Sequence, residues 1–206
     1  MHLADGILSP PVLVAGTTIA IGSVVLGLRS LDLHHIPRAA VMTAVFFTAS
    51  FLHVPLGPGQ IHFVFSGLAA LVLGSAVFPA LLIGLFLQAI LLGYGGITAL
   101  GVNLVIMAFP AWLAALPARR RLARASSRSL VIAIGAAVAV ASILGSIAIM
   151  SLALLLSDPR YRNLLPPVIA LHAPLLLMEA LATAGATAFL HRVHPELITH
   201  SRYPPS

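Results

Sequence analysis

The sequence predicts an all-α, polytopic membrane protein with seven transmembrane helices, and three observations lead to that class. Hydrophobic residues make up 60% of the 206 positions and charged residues only 8%. The mean hydropathy of +1.07 is far above that of a soluble domain of this length. The apolar residues also fall in long runs, and a helix needs about 20 such residues to cross a bilayer.

The apolar runs give the helices in chain order. They cover 10–28, 38–53, 62–93, 98–116, 130–157 and 167–190. The run 62–93 would be about 48 Å long as one helix, whereas the hydrocarbon core is about 30 Å thick. Its middle, residues 74–79, reads GSAVFP, which is typical of a helix break. We therefore predict two shorter helices there, and seven in all.

The basic residues, all eleven of them arginine, orient these helices. With seven helices and an outer N-terminus, nine arginines lie on the inside, and only Arg160 and Arg162 lie outside. A six-helix arrangement places at best seven inside. The excess of positive charge in cytoplasmic segments therefore favours seven helices, with the C-terminus cytoplasmic. The inside segments are then 29–38, 74–79, a basic loop at 117–129 and a tail at 191–206.

Several function classes are excluded or unsupported. The chain has no cysteine, so disulfides, thiolate metal sites and cysteine nucleophiles are excluded. It contains no GxxxxGK[ST] motif for ATP and no HExxH motif, so we expect a protein that is not an enzyme. The net charge of +6 reports membrane topology rather than nucleic-acid binding. The start also lacks the basic region and cleavage site of a signal peptide.

The opening residues, MHLADGILSP, form a candidate metal chelate. The large His2 side chain disfavours removal of Met1, so we expect a free amine there. That amine, the amide nitrogen of His2 and its imidazole can bind a metal in one plane, which suits Ni(II) or Cu(II), and Co(II) less firmly. His62, at the end of the Pro- and Gly-rich outer loop 54–62, is the candidate fourth ligand. The alternatives are a frayed terminal histidine and an interfacial ring.

Other polar and small residues are candidates for supporting roles. Asp5 either orients an imidazole or caps a helix that starts near Leu8. Glu179, with His172 two turns earlier, either stabilises the packing of the last helix or biases the metal pocket. Gln60 and Asn103 are further pocket candidates, and a hydrogen bond between helices is the alternative for Asn103. The small residues at four-residue spacing, Ala40, Ala44 and Thr48, either dock a partner or pack within the chain.

Several separate stretches resemble the CbiM/NikM family, the substrate-binding membrane subunits of energy-coupling-factor transporters for cobalt and nickel. They are MHLADGILSP, HVPLGPGQIH with FVFSGLAALVLG, LQAILLGYGGITALGVN, MAFPA and HAPLLLMEALATA. The resemblance covers nearly the whole chain and is weakest across 117–157. It implies a seven-helix fold with the N-terminus tucked in from outside. It also implies a metal held by the Met1 amine, the His2 amide nitrogen and imidazole, and His62, with Asn103 shaping the site.

The resemblance further implies what the chain works with. We expect one metal-binding domain over 1–206, in which 1–9 bind the metal and 191–206 form the cytoplasmic tail. Partners would be a transmembrane coupling subunit, ATPase subunits that use ATP, a small accessory membrane subunit and membrane lipid. The substrate would be Co(II) or Ni(II), taken up across the inner cell membrane for cobalamin biosynthesis or a nickel enzyme. The alternative is a self-sufficient, proton-coupled divalent-metal carrier or channel, with Glu179 and His172 as a proton relay.

Overall fold

A computed structural model of the chain describes residues 2–33, 35–56 and 59–199, and for 53–56 and 59–61 it describes the backbone alone. The described residues form seven α-helices. They are α1 (Pro10–Leu28), α2 (Ile36–Ala49), α3 (Ser66–Leu73), α4 (Val77–Leu87), α5 (Leu100–Leu122), α6 (Arg128–Ser157) and α7 (Leu165–Val193). The predicted all-α, polytopic class is confirmed.

The segment 66–92 is interrupted where the sequence predicted a break. A short 3-10 turn, Gly74–Ala76, separates α3 from α4, and Gly74 has a φ of +60°, which a glycine adopts without strain. By length and composition, the described helical segments 10–28, 66–92, 100–122, 128–157 and 159–193 can each cross a membrane. The apolar helix α2 is shorter. The number of crossings and the outer N-terminus stay predictions.

Several boundaries differ from the sequence prediction. In the segment 54–62, expected to be a loop, the described residues belong to a hairpin of antiparallel strands β1 (His53–Leu56) and β2 (Gly59–His62), in register His53 opposite His62. The stretch 117–129, expected to be a loop, is helical as far as Leu122, and Pro117 lies inside α5 without ending it. The last helix extends to Val193, so the residues from 191 to that point are helical rather than tail.

Helix α5 lies at the centre and packs on α1, α3, α4 and α6, while α7 packs along α6 and α2 along α4. Its middle is fully buried, with Leu104, Ile106 and Met107 at 0% exposure. Close approach between helices depends on small residues, as is usual in membranes. A side chain at Gly101 would collide with the backbone of α1, and one at Gly135 would come within 3.0 Å of the backbone of α7.

The outer faces of the bundle carry the remaining apolar side chains. Only 22% of the apolar window of α1 and 11% of that of α7 are buried inside the chain. Exposed leucine, isoleucine and valine residues line both helices. Such faces are stable in contact with lipid or with another membrane helix.

Candidate metal site

The N-terminal segment, residues 2–9, lies against the ends of the helices and is held by hydrogen bonds from alternate residues. The Asn103 side chain clamps Leu3 by accepting from its N–H at 2.9 Å and donating to its carbonyl at 3.0 Å. Both residues are buried. Further along, the Tyr161 hydroxyl donates to the Ile7 carbonyl, and the Ser9 N–H donates to the Ser157 hydroxyl. These contacts fix the segment before α1 begins.

Asp5 provides the largest group of anchoring contacts. Its carboxylate accepts from the N–H groups of Ile97, Thr98 and Ala99 and from the Thr98 hydroxyl. These groups precede α5, so the negative charge lies at a helix N-terminus, where the helix dipole stabilises it. The hydrogen bond from the Thr98 side chain lowers the pKa of Asp5. The expectation that Asp5 caps a helix starting near Leu8 is wrong: it caps the segment before α5, and Ser9 stands at the N-cap of α1.

The turn before α5 is shaped to receive this segment. Gly95 has a φ of +79°, which favours glycine. A Cβ atom on Gly96 would lie 1.9 Å from a carboxylate oxygen of Asp5 and 2.5 Å from the Asp5 backbone nitrogen. The two glycines therefore let the N-terminal segment approach the turn backbone to backbone.

Three aromatic rings meet where this segment, the hairpin and the turn converge. The His2 and His62 imidazoles are stacked, with ring centres 5.3 Å apart and planes inclined by 20°. Tyr94 stacks on both, at 5.8 Å from His62 and 6.2 Å from His2. The Tyr94 and His62 planes differ by only 8°. The structure thus brings together the two histidines that the sequence singled out.

The His2 ring is an unusual buried group. Within the described part of the chain, neither of its nitrogens has a hydrogen-bond partner, and both are buried. Burial lowers the pKa of this imidazole well below its usual value, so the neutral form, which can donate a lone pair, is favoured. A buried polar group without a partner is costly, so these nitrogens are suited to bind a ligand.

His62 is oriented by its own backbone and, indirectly, by Glu179. Its Nδ1–H donates to the Phe63 carbonyl at 2.8 Å, which leaves the lone pair of a neutral ring on Nε2. The Glu179 carboxylate accepts from the N–H groups of Val64 and Phe65, just ahead of α3. Phe65 has a left-handed φ of 52°. Glu179 therefore holds the junction between β2 and α3, at which His62 lies.

The other predicted residues have different positions. The Nδ1–H of His172 donates to the Val168 carbonyl one turn earlier in α7. The described hydrogen bonds of Glu179 go to backbone N–H groups and not to His172. Gln60 pairs with Pro55 in the hairpin, and its side chain lies outside the described part of the chain, as does Met1. Among the described residues, no three His, Asp or Glu side chains form a group that could hold a metal.

The small residues of α2 lie on an exposed face. Ala40, Ala44 and Thr48 are all exposed, whereas Ala39, Thr43 and Phe46 on the opposite side are buried. Two of the three line a shallow apolar groove that extends to Phe65. Packing within the chain is therefore not the role of this face.

Sequence reasoning missed Tyr94, Gly96 and Thr98, although all three lie in the LQAILLGYGGITALGVN stretch. The available signal was an aromatic residue within a glycine-rich turn, followed by a hydroxyl just before a helix. It did not reveal that Tyr94 faces two histidines far away in sequence. No feature of the sequence indicated that Tyr161 and Ser157 contact the N-terminal segment.

Comparison with known proteins places the chain in a family. A family model described as the cobalt uptake substrate-specific transmembrane region matches residues 2–197. A protein of Haemophilus influenzae described as a metal transport protein is 36% identical over 98% of both chains. The fused nickel transport protein NikMN of Rhodobacter capsulatus is 31% identical over 99% of this chain, which spans 65% of that longer protein.

A solved structure agrees with these relatives. The crystal structure of a transition metal transporter is similar with a TM-score of 0.75 and 26% identity, over 94% of this chain and 93% of that one. The family match over residues 2–197 covers all seven described helices together with the N-terminal segment. The family model, the relatives and the fold together show that this chain belongs to the CbiM family of cobalt-uptake membrane proteins.

Proposed function

We propose that the chain is the substrate-binding subunit of an ATP-driven energy-coupling-factor transporter that captures Co(II) or Ni(II). The ligands would be the Met1 amine, the His2 amide nitrogen and imidazole, and His62. The observation that carries the proposal is the buried His2 imidazole, which lies against His62 and has no hydrogen-bond partner among the described residues. A relative is named for nickel transport and the family for cobalt uptake, which supports both metals.

The spacing of the rings is compatible with a shared metal. A metal–nitrogen bond of about 2 Å plus about 1 Å to the ring centre places each imidazole centre about 3 Å from the ion. Two such rings have centres about 4 Å apart when adjacent around the metal and about 6 Å apart when opposite. The observed 5.3 Å lies between these limits. A small closing movement of His2 towards His62 would complete an adjacent pair.

The energy for uptake would come from other subunits, because the chain has no nucleotide-binding motif. We propose a transmembrane coupling subunit, ATPase subunits and a small accessory membrane subunit as partners in the inner cell membrane. The exposed face of α2 that carries Ala40, Ala44 and Thr48 supports docking of the coupling subunit, since small residues allow close helix approach. Delivered metal would serve cobalamin biosynthesis or a nickel enzyme.

Calorimetric titration of the purified chain with Ni(II) and Co(II) tests the ligand set. We compare the native start, confirmed by intact mass to carry a free Met1 amine, with a version that has one residue inserted before Met1. His62→Ala is the second variant, and His194→Ala, an exposed histidine near the C-terminus, is the matched control. Both site changes should abolish tight binding and the control should retain it. Unaltered binding by the extended chain would rule out the amine chelate.

Transport in vesicles separates this proposal from a self-sufficient carrier. The chain reconstituted alone should not accumulate metal uphill, and addition of coupling and ATPase subunits with ATP should restore uptake. Uphill uptake by the lone chain, driven by a proton gradient and lost in Glu179→Gln, would support the carrier instead.

A further inference from the structure

A groove between α6 and α7, away from the metal site, combines an apolar floor with a basic rim. It has a volume of about 590 Å³ and is lined where α6 begins and α7 ends. Val131, Leu181, Ala184 and Gly185 form part of the floor. Arg128, Arg192 and the serines 126 and 127 lie at one end. A Cβ atom on Gly185 would meet no atom within 4 Å, so the floor is open.

The groove matches the outer part of one bilayer leaflet, in which charged headgroups lie above hydrocarbon. Helix α6 has 30 residues and is about 45 Å long, which exceeds the hydrocarbon thickness of about 30 Å. An end of α6 therefore reaches headgroup depth, and the charged Arg128 marks its first residue as that end. From Arg192 to Leu181 the apolar lining runs about 16 Å along α7 towards the bilayer centre. The groove thus has a charged end at the membrane surface and an apolar end in the hydrocarbon.

The arginines at the rim have no counter-charge from the described chain. Neither Arg128 nor Arg192 takes part in an ion pair among the described residues. All five side-chain carboxylates have described partners elsewhere: Asp5 with Thr98, Asp32 with His35, Asp158 with Arg160, Glu179 with Phe65, and Glu196 with His194. Among the described residues, the positive charge of the rim is therefore open to an added anion.

Arg128 is also placed against the helix dipole. It is the first residue of α6, where a positive charge is disfavoured and an anion is stabilised. Ser127 already caps this helix, accepting a hydrogen bond from the Leu130 N–H. Arg128 therefore does not serve the stability of α6. A phosphate bound between Arg128 and Arg192 would remove the conflict.

We propose that this groove binds one anionic phospholipid, with its phosphate held by Arg128 and Arg192 and an acyl chain along Val131, Ala184 and Gly185. Basic pockets between membrane helices are suited to such headgroups. A zwitterionic lipid would leave the two positive charges uncompensated, so the site selects for net negative charge. The bound lipid would fasten the end of α6 to the end of α7.

Native mass spectrometry of the full chain in detergent tests this, with phosphatidylglycerol and phosphatidylcholine of identical acyl chains as probes. Wild-type protein should retain one phosphatidylglycerol more tightly than phosphatidylcholine. Each basic residue at a membrane surface strengthens binding of an anionic lipid by a factor of about 5, so Arg128→Gln with Arg192→Gln should weaken phosphatidylglycerol binding about 25-fold. The matched control is Arg120→Gln with Arg121→Gln, exposed arginines of α5 that do not line the groove.

A second pair of variants tests the floor without altering charge. Gly185→Leu fills open space and should weaken lipid retention, whereas Gly22→Leu, also in open space but on α1, should not. Equal retention of the two lipids, or equal phosphatidylglycerol binding in wild type and both groove variants, would overturn the proposal. Competition by glycerol 3-phosphate as effective as by the intact lipid would indicate a site for free phosphate. Loss of a dimer in Gly185→Leu with lipid binding unchanged would assign the groove to contact between copies.

Discussion

The clamp between Asn103 and Leu3 is the sharpest point at which to perturb the site. Asn103→Ala removes both hydrogen bonds and leaves the Leu3 N–H and carbonyl without partners, at a residue only 6% exposed. An unsatisfied buried group costs about 1–3 kcal/mol, so the two together cost about 2–6 kcal/mol. Because both described hydrogen bonds of the Asn103 side chain go to the Leu3 backbone, this cost falls on the docking of the N-terminal segment.

The consequence for metal binding follows from the docked population. A loss of about 3 kcal/mol lowers the docking constant about 150-fold, and the apparent affinity falls with the fraction of chains that stay docked. We therefore expect Ni(II) binding by Asn103→Ala to weaken, by up to about 150-fold where undocked chains come to predominate. Amide hydrogen exchange over residues 2–9, measured without metal, should rise in parallel.

The matched control is Asn163→Ala, which removes the same side chain from an exposed position in the 3-10 turn before α7. It should change neither the exchange of residues 2–9 nor the affinity. If Asn103→Ala shows native exchange and native affinity, the clamp does not hold the segment, and the reasoning from the two hydrogen bonds is refuted.

Three further predictions concern the same region. Gly96→Ala should displace the segment, since its Cβ would overlap Asp5, and should both speed amide exchange over residues 2–9 and weaken metal binding, whereas Gly22→Ala, in open space, should do neither. Equal exchange and equal affinity in the two variants would contradict the contact. The pKa of Asp5 is lower in the folded protein than in the unfolded chain. The ionised carboxylate therefore contributes its full stability above the ordinary carboxyl pKa of about 4, and this stability is lost as the pH falls through the lower folded-state pKa. Thermal unfolding should therefore lose stability on acidification in wild type and less in Asp5→Asn, and parallel curves would refute this. Tyr94→Leu should lose about 0.5–1.5 kcal/mol of ring stacking and so weaken Ni(II) binding about 2- to 10-fold, while Tyr94→Phe should bind Ni(II) as wild type does. An equal loss of affinity in both variants would point to the hydroxyl group instead.

The class of the protein could be read from the sequence because bilayer insertion depends on composition and run length. The boundaries of α1 agree with the run 10–28, since Pro10 suits the first turn of a helix. The break at 74–79 was visible for the same kind of reason, as Gly74 permits a backbone conformation that other residues avoid. By contrast, the stretch from 117 was expected to be a loop, whereas it stays helical as far as Leu122 with Pro117 inside α5.

The candidate site, too, was predicted from the sequence only in part. His2 and His62 were identified by residue type and by their predicted side of the membrane, because chelation by neighbouring nitrogens is a local property of the chain. The roles of Asp5 and Glu179 were not identified. Each accepts from backbone N–H groups more than ninety residues away, ahead of α5 and α3 respectively. Such caps have no local signature, because the acid and the helix it caps are separated in sequence.

The sequence by itself therefore determined that the chain is a helical membrane protein, and it supplied candidate nitrogen ligands at its start. Hydrophobicity, proline and glycine placement, and the chemistry of a Met-His terminus act over a few residues and need no fold to be recognised. Only the tertiary structure decided that Tyr94 joins the two histidines, that Asn103 clamps Leu3, and that an exposed face of α2 and a basic groove between α6 and α7 are left open. These features arise where distant segments meet, and the energy of each contact depends on a burial and geometry that helix packing alone creates.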